Sequence, residues 1–122
     1  LIYPGHQFCR DGGMTAAMMV ALLATRKTTL SAALGTLPTY TMRKEKFHVH
    51  DPEELIARLA EAFQGEAPDL TDGVRINRSD TWALVRPSGT EPLVRIFVES
   101  KTREAGEEIY QDILALMDPS SV

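Results

Sequence analysis

The residues best suited to chemistry are those at positions 86–92, Arg-Pro-Ser-Gly-Thr-Glu-Pro. This segment brings together a guanidinium, two hydroxyl groups and the backbone N–H groups around a glycine. Such donors bind an oxyanion well, because hydrogen bonds between charged groups are short and strong. Each charge-assisted bond contributes roughly 1.5–3 kcal/mol, so three or four of them can hold one phosphoryl group. The segment therefore predicts a small anion site.

The flanks of this segment predict two β-strands. Residues 82–85 and 93–98 are rich in β-branched and aromatic side chains, which favour strands. The segment is then a loop between strands. It is neither a Walker A motif nor a dinucleotide fingerprint, since it lacks the glycine spacing and the following helix. The alternative is a structural hairpin whose Arg86 forms a surface salt bridge with Glu91.

Composition and net charge argue against several classes of protein. The 122 residues carry a net charge of −4, which argues against binding to nucleic acid, since that needs a basic face. One cysteine, Cys9, excludes an internal disulfide and a multi-cysteine zinc site. No apolar run reaches the roughly 18 residues of a membrane span, so we expect a cytoplasmic protein without a membrane partner. The chain begins at Leu1 without an initiator Met, which indicates a piece of a longer protein.

The order of predicted elements gives an α+β fold. A charged strand over residues 40–49 has the character of a sheet edge, and three further strands form a meander from residue 74 onward. Two helices begin after the N-cap residues Asp51 and Thr102. We therefore expect an antiparallel four-stranded sheet with helices packed on one face. Before it, residues 14–26 predict a helix that is apolar all round and needs neighbours from outside this chain.

The pairing register of the last hairpin decides which side chains share a face. If Arg86 pairs with Leu93, Arg86 and Arg95 lie on the face away from the helices. The opposite face then carries the apolar side chains of Ala83, Val85, Val94, Ile96 and Val98.

Other polar clusters predict no catalytic residue and no metal site. Nothing positions Cys9 with His6 as a nucleophile and its base, since the segment is a loop with no oxyanion hole in view. His48 and His50 have strand spacing and could share a face, but a third ligand is missing from their neighbourhood.

The loop Arg-Pro-Ser-Gly-Thr-Glu-Pro, followed by Leu-Val-Arg-Ile, resembles the phosphate-binding loop of the α-D-phosphohexomutases. These enzymes include phosphoglucomutase, phosphomannomutase and phosphoglucosamine mutase. The resemblance implies that residues 1–37 are the tail of a preceding α/β domain with a linker, and that 38–122 are the C-terminal, TBP-like domain. It also implies a parent enzyme in which a phosphoserine and Mg²⁺, both held by other domains, exchange a phosphoryl group between the 1- and 6-positions of a hexose phosphate.

The resemblance assigns the substrate phosphate contacts to five residues: Arg86, Ser88, Gly89, Thr90 and Arg95. The partners it implies are a phosphosugar and the missing N-terminal domains of the same enzyme. This chain lacks the family's serine loop, metal segment and sugar loop, so the chain alone should be inactive, and it does not reveal which hexose the parent prefers.

Two alternatives come from other classes of protein. The open sheet face, with Trp82, Phe97 and Arg95, could serve as a stacking platform for nucleic acid or as a protein-interaction surface. In the other alternative, the loop is purely structural and the apolar helix at 14–26 makes a dimer contact.

Overall fold

A computed structural model describes residues 1–117 of the chain. The chain forms two compact units, one ending at Pro38 and the other beginning at Thr39. The first unit contains helices α1 (Gly12–Arg26) and α2 (Leu30–Leu34). The second contains, in chain order, β1 (Thr41–His48), α3 (Pro52–Ala62), a 3₁₀ turn (Gln64–Glu66), β2 (Val74–Arg78), β3 (Thr81–Pro87), β4 (Leu93–Ser100) and α4 (Arg103–Leu114).

Helix α1 forms where its composition predicts it, and it starts two residues earlier because Asp11 is its N-cap. The Asp11 carboxylate accepts a hydrogen bond from the backbone N–H of Met14 at 2.9 Å. No residue of α1 is buried, and Val20 is 67% exposed. The first unit alone therefore does not bury the apolar surface of this helix. None of the helices within residues 1–117 has both the length and the apolar character to span a membrane.

The second unit confirms the predicted α+β architecture. Its four strands are all antiparallel and lie in the order β1-β4-β3-β2, so β4 and β3 are the inner strands. Helices α3 and α4 pack on one face of the sheet, and the core fills the space between them. The side chains of the core that are essentially inaccessible to solvent are Leu59, Val74, Ile76, Ala83, Val85, Val94, Ile96, Ile109 and Ile113. The predicted N-caps Asp51 and Thr102 are also confirmed.

The register of the last hairpin differs from the predicted one. Arg86 pairs with Arg95 rather than with Leu93, and the ladder continues through Pro87 opposite Val94. Both registers direct the same side chains to the core, because they differ by two residues and the side-chain period of a strand is two. The hydrophobic pattern therefore could not choose between them. The observed register carries the ladder further into the loop, where the N–H of Ser88 bonds to the carbonyl of Leu93 at 2.9 Å.

The edge strand β1 is fixed to α4 by a group of polar side chains. The Tyr110 hydroxyl donates to Glu45 at 2.6 Å, and Arg43 donates to the same carboxylate at 2.6 Å. The Arg43 guanidinium also lies 3.7 Å above the Tyr110 ring and bonds to Glu107 at 2.7 Å. Burial, followed by the bond to Glu45, raises the pKa of Tyr110 to about 12. The bonds from Tyr110 and Arg43 lower the pKa of Glu45. These contacts hold β1 in place on the helix side of the sheet.

The turn before β2 packs directly against β3. Gly73 has a φ of 92°, a left-handed conformation that residues with a Cβ rarely adopt. A Cβ at this position would overlap the carbonyl oxygen of Val85 and come within 3.0 Å of the Cα of Arg86. Only glycine lets the turn approach the strand that carries Arg86.

We predict that Tyr110→Phe costs about 1 kcal/mol of unfolding free energy near neutral pH, since it removes a hydrogen bond to a carboxylate. Glu45 has a lowered pKa in the folded state. Its contribution to the free energy of unfolding is therefore complete above its ordinary pKa of 4.5 and is lost as the pH falls through the lowered value. The difference between variant and wild type should therefore shrink below that pH in urea titrations. Tyr40→Phe, at an exposed tyrosine, is the control. A difference that stays constant down to about pH 2 would contradict the role of Glu45.

We also predict that Gly73→Ala destabilises the second unit by at least about 2 kcal/mol, through backbone strain and overlap with Val85. The matched control is Gly65→Ala, because a Cβ at Gly65 would contact nothing within 4 Å. Urea unfolding of both variants gives the comparison. Equal stability of the two would show that the turn can move away from β3 without cost.

Candidate anion-binding site

The loop at residues 88–92 closes the end of the sheet between its two inner strands. Three backbone hydrogen bonds fix its shape: Ser88 to Leu93 at 2.9 Å, Leu93 to Glu91 at 2.8 Å, and Val49 to Pro92 at 3.1 Å. Gly89 and Thr90 are exposed and Ser88 is half-buried. Within the described residues, neither hydroxyl of the loop makes a side-chain hydrogen bond, so both are available to a ligand. A Cβ at Gly89 would contact nothing within 4 Å, which leaves open space above the loop backbone.

Arg86 stands at the base of the loop with its side chain 49% exposed. Its Nε lies 3.0 Å from the Oδ1 of Asp72, in the turn that Gly73 anchors to β3. The predicted alternative, a salt bridge to Glu91, is therefore wrong. The turn can reach Arg86 because β2 and β3 are paired, with Val74 opposite Val85. The Asp-Gly turn was the feature of the sequence that could have indicated this ion pair. The pair was not predicted because residues 72 and 86 lie far apart along the chain.

Arg95 completes a row of three cations across the sheet. It pairs with Arg86 of β3 on one side and with Lys46 of β1 on the other. Directly opposite residues of antiparallel strands share a face, so all three side chains start from the face away from the helices. Sequence reasoning missed Lys46, because nothing in the sequence says that β1 joins the sheet beside β4 and not beside β2.

A groove of about 610 Å³ opens beside the loop. Arg86, Ser88 and Gly89 line it, whereas Thr90 and Arg95 do not. The facing wall is the start of α3 and the turn at Asp72, and its lining residues are His50, Asp51, Pro52, Glu53 and Asp72. Three of the five predicted contacts thus line one groove, and Thr90 and Arg95 lie outside its lining.

Internal contacts occupy the part of the open face around Trp82. The Arg75 guanidinium lies 4.7 Å from the centroid of the Trp82 ring, and the Trp82 indole N–H donates to Glu99 at 3.0 Å. One face of the ring is therefore not free to stack on a base. This arrangement weakens the alternative of a nucleic-acid platform.

The other polar clusters of the sequence have structural partners. Asp11 caps α1 and accepts a hydrogen bond from Gln7 at 2.7 Å, and His6 lies 3.5 Å from it. Cys9 is exposed. Within residues 1–117 no three His, Cys, Asp or Glu side chains come together as a possible metal site.

Comparisons with known proteins show which family this chain resembles. Residues 43–116 match the family profile described as phosphoglucomutase/phosphomannomutase, C-terminal domain. A probable phosphoglucosamine mutase of Methanopyrus kandleri is 40% identical over 122 residues, which cover 95% of this chain and 26% of that protein. A phosphoglucomutase/phosphomannomutase of Thermococcus kodakarensis is 38% identical over 121 residues, covering 97% of this chain and 26% of that protein.

A solved structure agrees with these sequence matches. A phosphoglucomutase/phosphomannomutase family protein from Burkholderia thailandensis superposes with a TM-score of 0.58 and 26% identity, covering 75% of this chain and 21% of that one. This chain therefore spans about a quarter of the length of the proteins it resembles.

Proposed function

This chain belongs to the phosphoglucomutase/phosphomannomutase family and contains its C-terminal domain, and from that premise we propose that it binds the non-reacting phosphate of a hexose phosphate. The contacts are the predicted ones: Arg86, Ser88, Gly89, Thr90 and Arg95. The observation that carries the proposal is the donor-rich loop between the two inner strands, with its hydroxyls unused within the described residues and Arg86 at its base.

Each residue has a distinct role in this proposal. Arg86 and Arg95 supply positive charge, and a guanidinium matches the oxygens of a phosphate better than an ammonium does. Ser88 and Thr90 supply hydroxyl donors. Gly89 is exposed and a Cβ there would meet no atom within 4 Å, so a ligand can approach the backbone at this residue. The fixed backbone of the loop lowers the entropic cost of arranging these donors around the ligand.

The reaction itself belongs to the parent enzyme, for which we propose an isomerase that moves a phosphoryl group between the 1- and 6-positions of a hexose phosphate. In this proposal, the Mg²⁺ that the family resemblance implies is held by the other domains of the parent enzyme. The contribution of this chain is to hold one end of the sugar while the other end reacts, which reduces the orientational freedom of the substrate.

The first unit fits the tail of the preceding domain in such an enzyme. We assign residues 1–37 to that tail and linker and 38–122 to the phosphate-binding domain. In the parent enzyme, the missing N-terminal domains would cover the exposed apolar side chains of α1, such as Met18, Val20 and Leu22. This covering would remove apolar surface from water, a favourable change.

The test is a titration of the ¹⁵N-labelled 122-residue chain with glucose 1-phosphate, followed by NMR. We expect shifts concentrated at residues 86–90 and at Arg95. Arg86→Gln should weaken binding by roughly tenfold or more, as the loss of a charge-assisted bond implies. The control is Arg58→Gln, which removes the same charge from the exposed surface of α3. Shifts that avoid residues 86–90, or equal affinities of the two variants, would contradict the proposal.

Gly89→Ala separates a binding role from a structural one. A methyl group at this position meets no protein atom within 4 Å, so the melting temperature should stay within about 2 °C of the wild type. The same methyl group would project into the space that we assign to the phosphate, and affinity for glucose 1-phosphate should fall several-fold. A variant that melts much earlier would show that Gly89 has a structural role. A variant that binds as tightly as the wild type would show that the loop backbone does not approach the ligand.

A further inference from the structure

The groove beside the loop and the open face of the sheet differ in charge. Three acidic residues, Asp51, Glu53 and Asp72, line the groove together with the loop. The N-terminus of α3 does not offset them, because the Asp51 carboxylate already accepts hydrogen bonds from the N–H groups of Glu53 and Glu54 at 3.0 Å each. A phosphate dianion placed against this acidic wall would meet three carboxylates, and Arg86 is the one arginine or lysine among the described residues of the lining. The acidic wall of the groove therefore disfavours a phosphate.

The open-face side has the opposite balance. Arg86, Arg95 and Lys46 occupy directly opposite positions on three adjacent strands. Neighbouring strands are about 4.8 Å apart, so the row spans roughly 10 Å and an anion over its middle is within reach of all three side chains. Within residues 1–117, no ion pair includes Arg95 or Lys46.

Such a row is unfavourable when the site is empty. Like charges placed directly opposite each other destabilise an antiparallel pair, and here the pairing occurs twice in succession. A doubly charged ligand reverses the sign of the interaction, because its two charges balance Arg95 and Lys46 while Asp72 already pairs with Arg86. This chain is acidic overall, with a net charge of −4, so the concentration of positive charge at this end of the sheet is a local feature.

We propose that Lys46 is a third phosphate-binding cation, and that the phosphate binds between the loop and Arg95, away from the acidic wall of the groove. The proposal rests on the proposed function of the loop and adds a residue and a position for the phosphate to it. Lys46 suits this position because an ammonium on a flexible stem acts as a point charge that can adjust to the ligand. The neighbouring side chains Arg43 and Glu45 keep β1 attached to α4 on the opposite face, so the strand that carries Lys46 has a fixed register.

The experiment compares Lys46→Gln with Lys44→Gln in the 122-residue chain. Lys44 lies on the same strand and the same face, but it is opposite Phe97 instead of an arginine. Both variants lose one positive charge, so long-range electrostatics change alike. Inorganic phosphate and glucose 1-phosphate are the probes, at low ionic strength, with dissociation constants from NMR and melting temperatures measured without ligand.

We expect Lys46→Gln to weaken the affinity for both probes about three- to tenfold while raising the melting temperature of the ligand-free chain by about 1–4 °C, since it removes a like-charge contact. Lys44→Gln should change the affinity and the melting temperature less than Lys46→Gln does. Opposite effects on binding and stability are the signature of a cation placed for a ligand, and a purely structural lysine would not produce them.

Two outcomes overturn the inference in different ways. If wild type and Lys44→Gln bind glucose 1-phosphate through residues 86–90 and Lys46→Gln binds equally well, Lys46 is no ligand and the proposed function stands. If the wild type shows no shifts at residues 86–90, the proposed function fails and the role of Lys46 fails with it.

Discussion

The ladder between β3 and β4 is the interaction on which the rest of the site depends. It joins the two inner strands of the sheet and brings Arg86 opposite Arg95. It also continues to Ser88 and Leu93, and so sets where the loop begins and which backbone groups remain free. The ladder is held by the core side chains on its helix face, chiefly Val85, Val94 and Ile96, which solvent does not reach. Hydrophobic burial on one face thus determines the spacing of charges on the other.

Two elements outside this hairpin also contribute charged residues to the site. From β2, the turn at Gly73 approaches the backbone of β3 closely enough to place Asp72 beside Arg86. From the opposite edge, β1 contributes Lys46 next to Arg95. The site therefore combines acidic residues that line the groove with cations on the open face of the sheet. Our proposal for the position of the phosphate rests on this division of charge.

The sequence was sufficient to predict the elements and the loop, because both depend on local signals. Asp51 and Thr102 are recognisable caps, and the seven residues of the loop lie together in the chain. The contributions of Asp72 and Lys46 could not be predicted, because they depend on which strands are neighbours, and strand order is not a local property. The hairpin register was also out of reach, since a shift of two residues leaves every apolar side chain on its original face.

The order of the strands has a consequence for how steadily the ligand is held. Arg86 and Arg95 are carried by strands with a neighbour on each side, so transient fraying at the margins of the sheet leaves their spacing intact. Lys46 belongs to an edge strand, which has a neighbouring strand on one side only. If the three cations bind one anion as proposed, the two arginines are positioned by strand pairing on both sides. Lys46 depends instead on pairing with β4 and on the contacts between β1 and α4.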